Sequence, residues 1–166
     1  MTRDQRRTPD AVPTLLVCFA FLVGCGGAPP AADVSELIEL LQSDSDEDRY
    51  KALATLRQLG PDGSAAVTYL RDALKYTKDD DMAGEIAKTL GAMGSAAAPA
   101  VPELTAALGR TTMWPRYAAI EALGRLGPAA APALPTLQKM TRDRDQDVAA
   151  AAHEAVRRLQ RSAKTK

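Results

Sequence analysis

Apolar residues fall along the chain in two regimes. From Thr14 to Val23 ten residues run without a charge, whereas beyond residue 33 the apolar positions recur with helical spacing. Ala52, Leu53, Leu56 and Leu59 form one stripe. It returns as Ile86, Ala87, Leu90 and Met93, and again as Ala119, Ile120, Leu123 and Leu126. Spacing of i, i+4, i+7 puts each set on one face of a helix. A shorter stripe precedes each of these, most clearly Val101, Leu104, Ala107 and Leu108.

The stripes alternate with a fixed period. "APAVPEL" (Ala98 to Leu104) returns as "APALPTL" (Ala131 to Leu137), and weaker copies start at Ala31 ("AADVSEL") and Ser64 ("SAAVTYL"). Leu37, Leu70, Leu104 and Leu137 therefore line up at steps of 33, 34 and 33. A second motif interleaves, "LRQLGP", "LGAMGS" and "LGRLGP", ending on Gly60, Gly94 and Gly127, while the fourth copy has Gln160 in that place. Pro102 and Pro135 suit a first helical turn, where a missing N–H costs nothing. A terminal glycine in the left-handed αL conformation, with a following proline after Gly60 and Gly127, is expected to stop the second helix. Each unit thus predicts a short helix A and a longer helix B. The period predicts an all-α fold, an α-solenoid of about four helix pairs over residues 33–160, with a basic tail at 161–166.

The array resembles HEAT repeats, in the short bacterial form shared with phycobilisome lyases. The residues that carry the resemblance are the "VPxL" starts, the "LGxLG" ends, and Arg116-Tyr117-Ala118-Ala119-Ile120-Glu121-Ala122-Leu123-Gly124 against that family's R-x-x-A-x-x-A-L-G. Arg49 occupies the same arginine position, whereas Ala83 and Ala149 depart from it. Tetratricopeptide and ankyrin signatures are missing. The resemblance implies a protein-binding scaffold, but relatives include deoxyhypusine hydroxylase, which holds two irons with several His–Glu pairs. This chain has one such pair, His153-Glu154; the equivalent positions are Leu53-Ala54, Ala87-Lys88 and Ile120-Glu121. His153 is the only histidine, so the expectation is a half-exposed residue on the last helix, with no metal and no cofactor. With no G-x-S-x-G and no phosphate-binding Gly loop either, no catalysis is expected.

The opening segment decides where such a protein works. Arg3, Arg6 and Arg7 precede the apolar run, and "GGAPPAA" follows it. A spanning helix needs about 20 apolar residues, so the run is too short, and its layout is that of a secretory signal. Leu22-Val23-Gly24-Cys25 resembles the lipobox of bacterial lipoproteins. The resemblance implies removal of residues 1–24, a diacylglyceryl group on Cys25, and a tether over 25–32. The expected protein is exported, lipid-anchored to the envelope membrane, monomeric in itself, with an envelope protein as partner. The rival is ordinary secretion of a soluble accessory to lyase- or hydroxylase-type relatives. Cys18 belongs to the signal; from Gly26 on there is no thiol, hence no disulfide and no cysteine metal site.

Charge adds two features. The whole chain balances 21 basic against 21 acidic residues, which argues against nucleic acid as a partner. Yet Asp33 to Ala100 holds 7 basic and 13 acidic residues, and Val101 to Lys166 holds 11 and 6. Asp44, Asp46 and Asp48, and again Asp143, Asp145 and Asp147, have the alternation of a calcium loop. Arg49 and Val148 stand where its glycine belongs, so helix capping is the expected role. The third turn differs: "GRTTMWPR" has no carboxylate and carries the only tryptophan. Trp114 and Met113, flanked by Arg110 and Arg116, are the candidate protein-binding residues, since Trp and Arg are enriched at binding hot spots. The competing expectation is that Trp114 shields the neighbouring repeat's core.

Overall fold

The computed structural model describes residues 33–164. Among them are eight α-helices: α1 (Val34–Leu41), α2 (Asp46–Leu59), α3 (Val67–Tyr76), α4 (Asp80–Ala92), α5 (Val101–Ala107), α6 (Met113–Leu126), α7 (Leu134–Met140) and α8 (Gln146–Lys164). Odd-numbered helices are the short A helices and even-numbered ones the B helices. The first three B helices each lead through a 3-10 segment, Gly60–Ala66, Gly94–Ala100 or Gly127–Ala133, into the next A helix. The all-α solenoid of four helix pairs is therefore present. Lipobox residues Leu22, Val23, Gly24 and Cys25 lie outside the described residues.

Two layers result. Helices α2, α4, α6 and α8 stack side by side, and the A helices with the 3-10 segments form the opposite layer. The core lies between them: Leu53, Leu56, Leu70, Leu90, Leu104, Ile120, Leu123 and Leu137 are fully buried. Three of the four leucines aligned by the repeat are among these, and Leu37 is nearly as well covered. No unit could bury its own stripe, so each repeat is stabilised by its neighbours.

The B helices approach along a seam of small residues. A Cβ added at Gly91 would lie 2.8 Å from Ala122 Cα, and one at Gly124 would lie 3.2 Å from Ala155 Cα. Gly91 and Gly124 thus admit α6 and α8 close to their neighbours. The corresponding pair at the first joint is Arg57 and Thr89. There Arg57 pairs with Glu85 at 2.7 Å, and the Thr89 hydroxyl donates to the carbonyls of Glu85 and Leu53 at 2.9 and 3.4 Å.

Three expectations need correction. Gly60, Gly94 and Gly127 do have positive φ, but Gly60 (φ 56°, ψ −125°) and Gly127 (φ 64°, ψ −140°) are not in αL. Their ψ swings the chain directly into a 3-10 turn, a conformation essentially reserved to glycine. The last helix runs on to Lys164, past the expected boundary at residue 160, because Gln160 supplies no such break. Capping by aspartate holds in two turns: Asp79 accepts from the N–H groups of Asp81 and Met82, and Asp145 from those of Asp147 and Val148. In the first turn Ser45 takes that role for α2, and Asp46 and Asp48 sit within the first helical turn, where the helix dipole favours them.

Candidate protein-binding surface

The period places equivalent residues side by side on the outer face of the B layer. One row reads Glu47, Asp81, Trp114, Asp147; the row one turn further reads Tyr50, Gly84, Tyr117, Ala150. Trp114 is thus the single aromatic in a row of carboxylates, and Gly84 the single position without a side chain in its own. These two exceptions meet. A Cβ on Gly84 would lie 2.1 Å from the Trp114 indole nitrogen, so the ring occupies the notch that Gly84 leaves on α4. Lys88 on the same helix holds its ammonium 5.6 Å from the ring centroid, a cation–π contact. Tyr117 stacks beside the indole with centroids 6.5 Å apart and planes 16° from parallel.

On the side facing α8 the surface opens into a cleft of about 350 Å³, lined by Met113, Trp114, Tyr117, Asp147, Ala150 and Ala151. Met113 is 42% exposed at its edge, and Trp114 and Tyr117 are half-buried. One side of Trp114 meets the neighbouring repeat, as the shielding expectation requires, and the residue also walls the cleft. A second, smaller cleft of about 280 Å³ lies between the first two repeats, with Arg49, Tyr69, Tyr76 and Met82 in its walls.

The two arginines of the candidate set turn away from this surface. Arg110 pairs with Asp80 at 2.8 Å and donates to the carbonyls of Thr77 and Leu74 at 2.7 and 3.4 Å. Arg116 pairs with Asp143 of the next repeat. Thr112 adds a hydrogen bond to Asp80 at 2.6 Å. These contacts knit successive A–B turns and hold the carboxyl groups below their ordinary value. For Asp80 the chief cause is the Thr112 hydroxyl, then Arg110; for Asp143 it is the N–H of Asp145, then Arg116. At the other end of the row, Tyr50 is pushed up by burial first, and then by Asp79, Asp81, Asp46 and Glu85 around it.

The isolated His–Glu pair has no metal-site geometry. His153 is exposed, and Glu154 is paired with Arg157, Arg158 and Arg161, of which Arg157 first and then Arg158 hold its carboxyl low. Among the described residues no three His, Cys, Asp or Glu side chains converge. Nor is any helix there long and apolar enough to cross a membrane. Sequence reasoning missed Gly84, Lys88, Tyr117 and Asp147. The signal was present in the repeat alignment, which sets Gly84 against Tyr50 and Tyr117.

Comparison with known proteins bears on the same features. The family pattern described as HEAT repeats matches residues 34–123, and that described as PBS lyase HEAT-like repeat matches residues 115–143. No curated protein matches. Among solved structures, human deoxyhypusine hydroxylase in complex with glycerol is similar at 33% identity and a TM-score of 0.62, over 81% of this chain and 46% of that one. An engineered protein is similar at 23% identity and a TM-score of 0.64, over 78% of this chain and 63% of that one. The complex of CpcE and CpcF of phycocyanin lyase from a Nostoc species is similar at 20% and 0.53, over 74% and 96%. The last two likenesses concern the fold alone, and this chain spans less than half the length of the hydroxylase.

Proposed function

Because the chain belongs to the HEAT-repeat family, we propose that it works as a scaffold that grips another protein through the outer face of its B helices, without catalysis of its own. The observation that carries this is the aromatic cleft between α6 and α8, where Met113, Trp114 and Tyr117 stand open to solvent beside two alanines. Trp and Tyr in a concave, partly desolvated setting are the typical anchors of protein interfaces. The remaining parts of the reading come from the opening segment: export, cleavage before Cys25 and a lipid anchor bring this surface close to an envelope membrane, with an envelope protein as partner.

Ala150→Trp tests the scaffold. Ala150 is exposed, so the larger ring fills the cleft without removing a buried contact. The thermal melt should be unchanged, and recovery of cross-linked partner from the native envelope should fall at least tenfold, equivalent to about 1.4 kcal/mol. Unchanged recovery would refute this face as the binding surface.

A second reading makes the chain a secreted accessory to HEAT enzymes, and the 33% identity to the hydroxylase favours it. Stoichiometric iron, or a visible absorption band in the purified chain, would support that reading over the first.

A further inference from the structure

The cleft beside Trp114 has a chemistry as well as a shape. At the preceding joint the equivalent notch is filled, since Gly84 leaves the space and the Trp114 indole takes it. One repeat later, Asp147 stands in the register of Trp114 and Tyr117 in that of Gly84. No indole from α8 enters this joint, and the space beside the short Asp147 side chain stays open as the cleft of about 350 Å³.

Asp147 is also set apart from the other acids of its turn. Asp143 is held by Arg116, Asp145 caps α8, and Glu154 is held by arginines. Among the described residues, neither the Asp147 carboxylate nor the Tyr117 hydroxyl has a hydrogen-bond or ion-pair partner. An apolar occupant would cover that carboxylate without compensating it, and an anionic one would be repelled by it. Lysine and arginine fit both halves. Their methylene stems match Met113, Ala150 and Ala151, and their charged ends match Asp147 and the faces of Trp114 and Tyr117. Lys88 lies on the α4 side of the indole and does not line the cleft. Asp81, an exposed carboxylate in register with Asp147, extends the same preference, whereas Glu47 is already paired with Lys51 at 2.6 Å.

We propose that this cleft receives a single lysine or arginine side chain from an exposed basic segment of the partner protein. The proposal rests on the scaffold reading above and specifies what the scaffold recognises.

Its test uses the full chain in detergent, titrated with Nα-acetyl-arginine amide, the lysine analogue, and the neutral isostere Nα-acetyl-citrulline amide, followed by NMR. Arginine and lysine should give saturable shifts at the Trp114 indole N–H and at the amides of Ala150 and Ala151. Citrulline should bind at least tenfold more weakly. Asp147→Asn should reproduce that tenfold loss with arginine while keeping the wild-type melt, because the α8 cap is Asp145. Ala150→Trp should abolish the shifts by blocking the space. Equal response to citrulline, or shifts centred on Asp79 to Asp81, would overturn the proposal.

A diazirine analogue of methionine at Met113, which keeps the size of that wall of the cleft, cross-linked in the native envelope, then separates the two levels of the argument. A cross-linked peptide with lysine or arginine at the contact supports the cation pocket. A neutral or acidic contact peptide sinks the pocket and leaves the scaffold standing. Absence of any cross-link along the B face removes both.

Discussion

At Gly127 the backbone sits at φ 64° and ψ −140°, and no atom lies within 4 Å of where a Cβ would be. A side chain there meets no neighbour, so its cost is that of the dihedral angles alone. Gly127→Ala should therefore destabilise the array by about 1–3 kcal/mol. The expected signature is a lower urea midpoint at an unchanged slope, since the surface exposed on unfolding is the same. A midpoint equal to that of the wild type would show that the turn tolerates another conformation. Gly124, in the same "LGRLG" motif, is the opposite case: ordinary backbone, but pressed against Ala155. The motif alone identified Gly127 as the end of a helix. It could not identify Gly124 as a contact, because Ala155 belongs to the next repeat and only the stacking of α6 on α8 brings the two together. Gly84 was hidden for the same reason, its partner being an indole from α6.

At the scale of the elements, helical periodicity exposed the B helices because their buried stripes obey a 3.6-residue repeat regardless of context. The joints between repeats obey no such rule. Arg110 and Arg116 read as available cations until Asp80 and Asp143 are brought to them from the neighbouring turns. Those pairs set an acid limit on the fold. Both carboxyl groups are held below the ordinary value of 3.8, so their folded forms take up protons less readily than the unfolded chain does. Their contribution is complete above the unfolded pKa and is lost as the pH falls through the lower, folded one. Stability should be nearly flat around neutrality and decline below about pH 4. The double variant Asp80→Asn, Asp143→Asn should melt below the wild type at neutral pH, with the gap closing in acid. A gap that persists undiminished in strong acid would show that the stabilisation does not come from the ionised carboxylates.

Over the whole molecule, charge and tether combine. The array is acidic over Asp33 to Ala100 and basic over Val101 to Lys166, and Cys25 lies eight residues before Asp33. On the proposed anchoring, at about 3.3–3.6 Å per residue those eight positions would hold the array within about 30 Å of the lipid. Cys25→Ser should move the protein from the membrane fraction to the soluble one and abolish fatty-acid labelling; labelling that survives the substitution would remove the anchor from the proposed function.

The seam of small residues between the B helices has a mechanical side. In a solenoid each joint bears load through its own interface, and the weakest yields first. Where Gly91 meets Ala122 and Gly124 meets Ala155, the helices approach backbone to backbone, and close approach multiplies dispersion contacts. At the first joint Arg57 pairs with Glu85 and the Thr89 hydroxyl reaches the Leu53 carbonyl, so α2 and α4 meet through side chains. On the proposed reading, a pull between a lipid anchor at Cys25 and a partner seated against α6 and α8 crosses that joint. Under such a load that joint is the one expected to yield first, while the backbone-to-backbone contacts at Gly91 and Gly124 hold the rest of the array together.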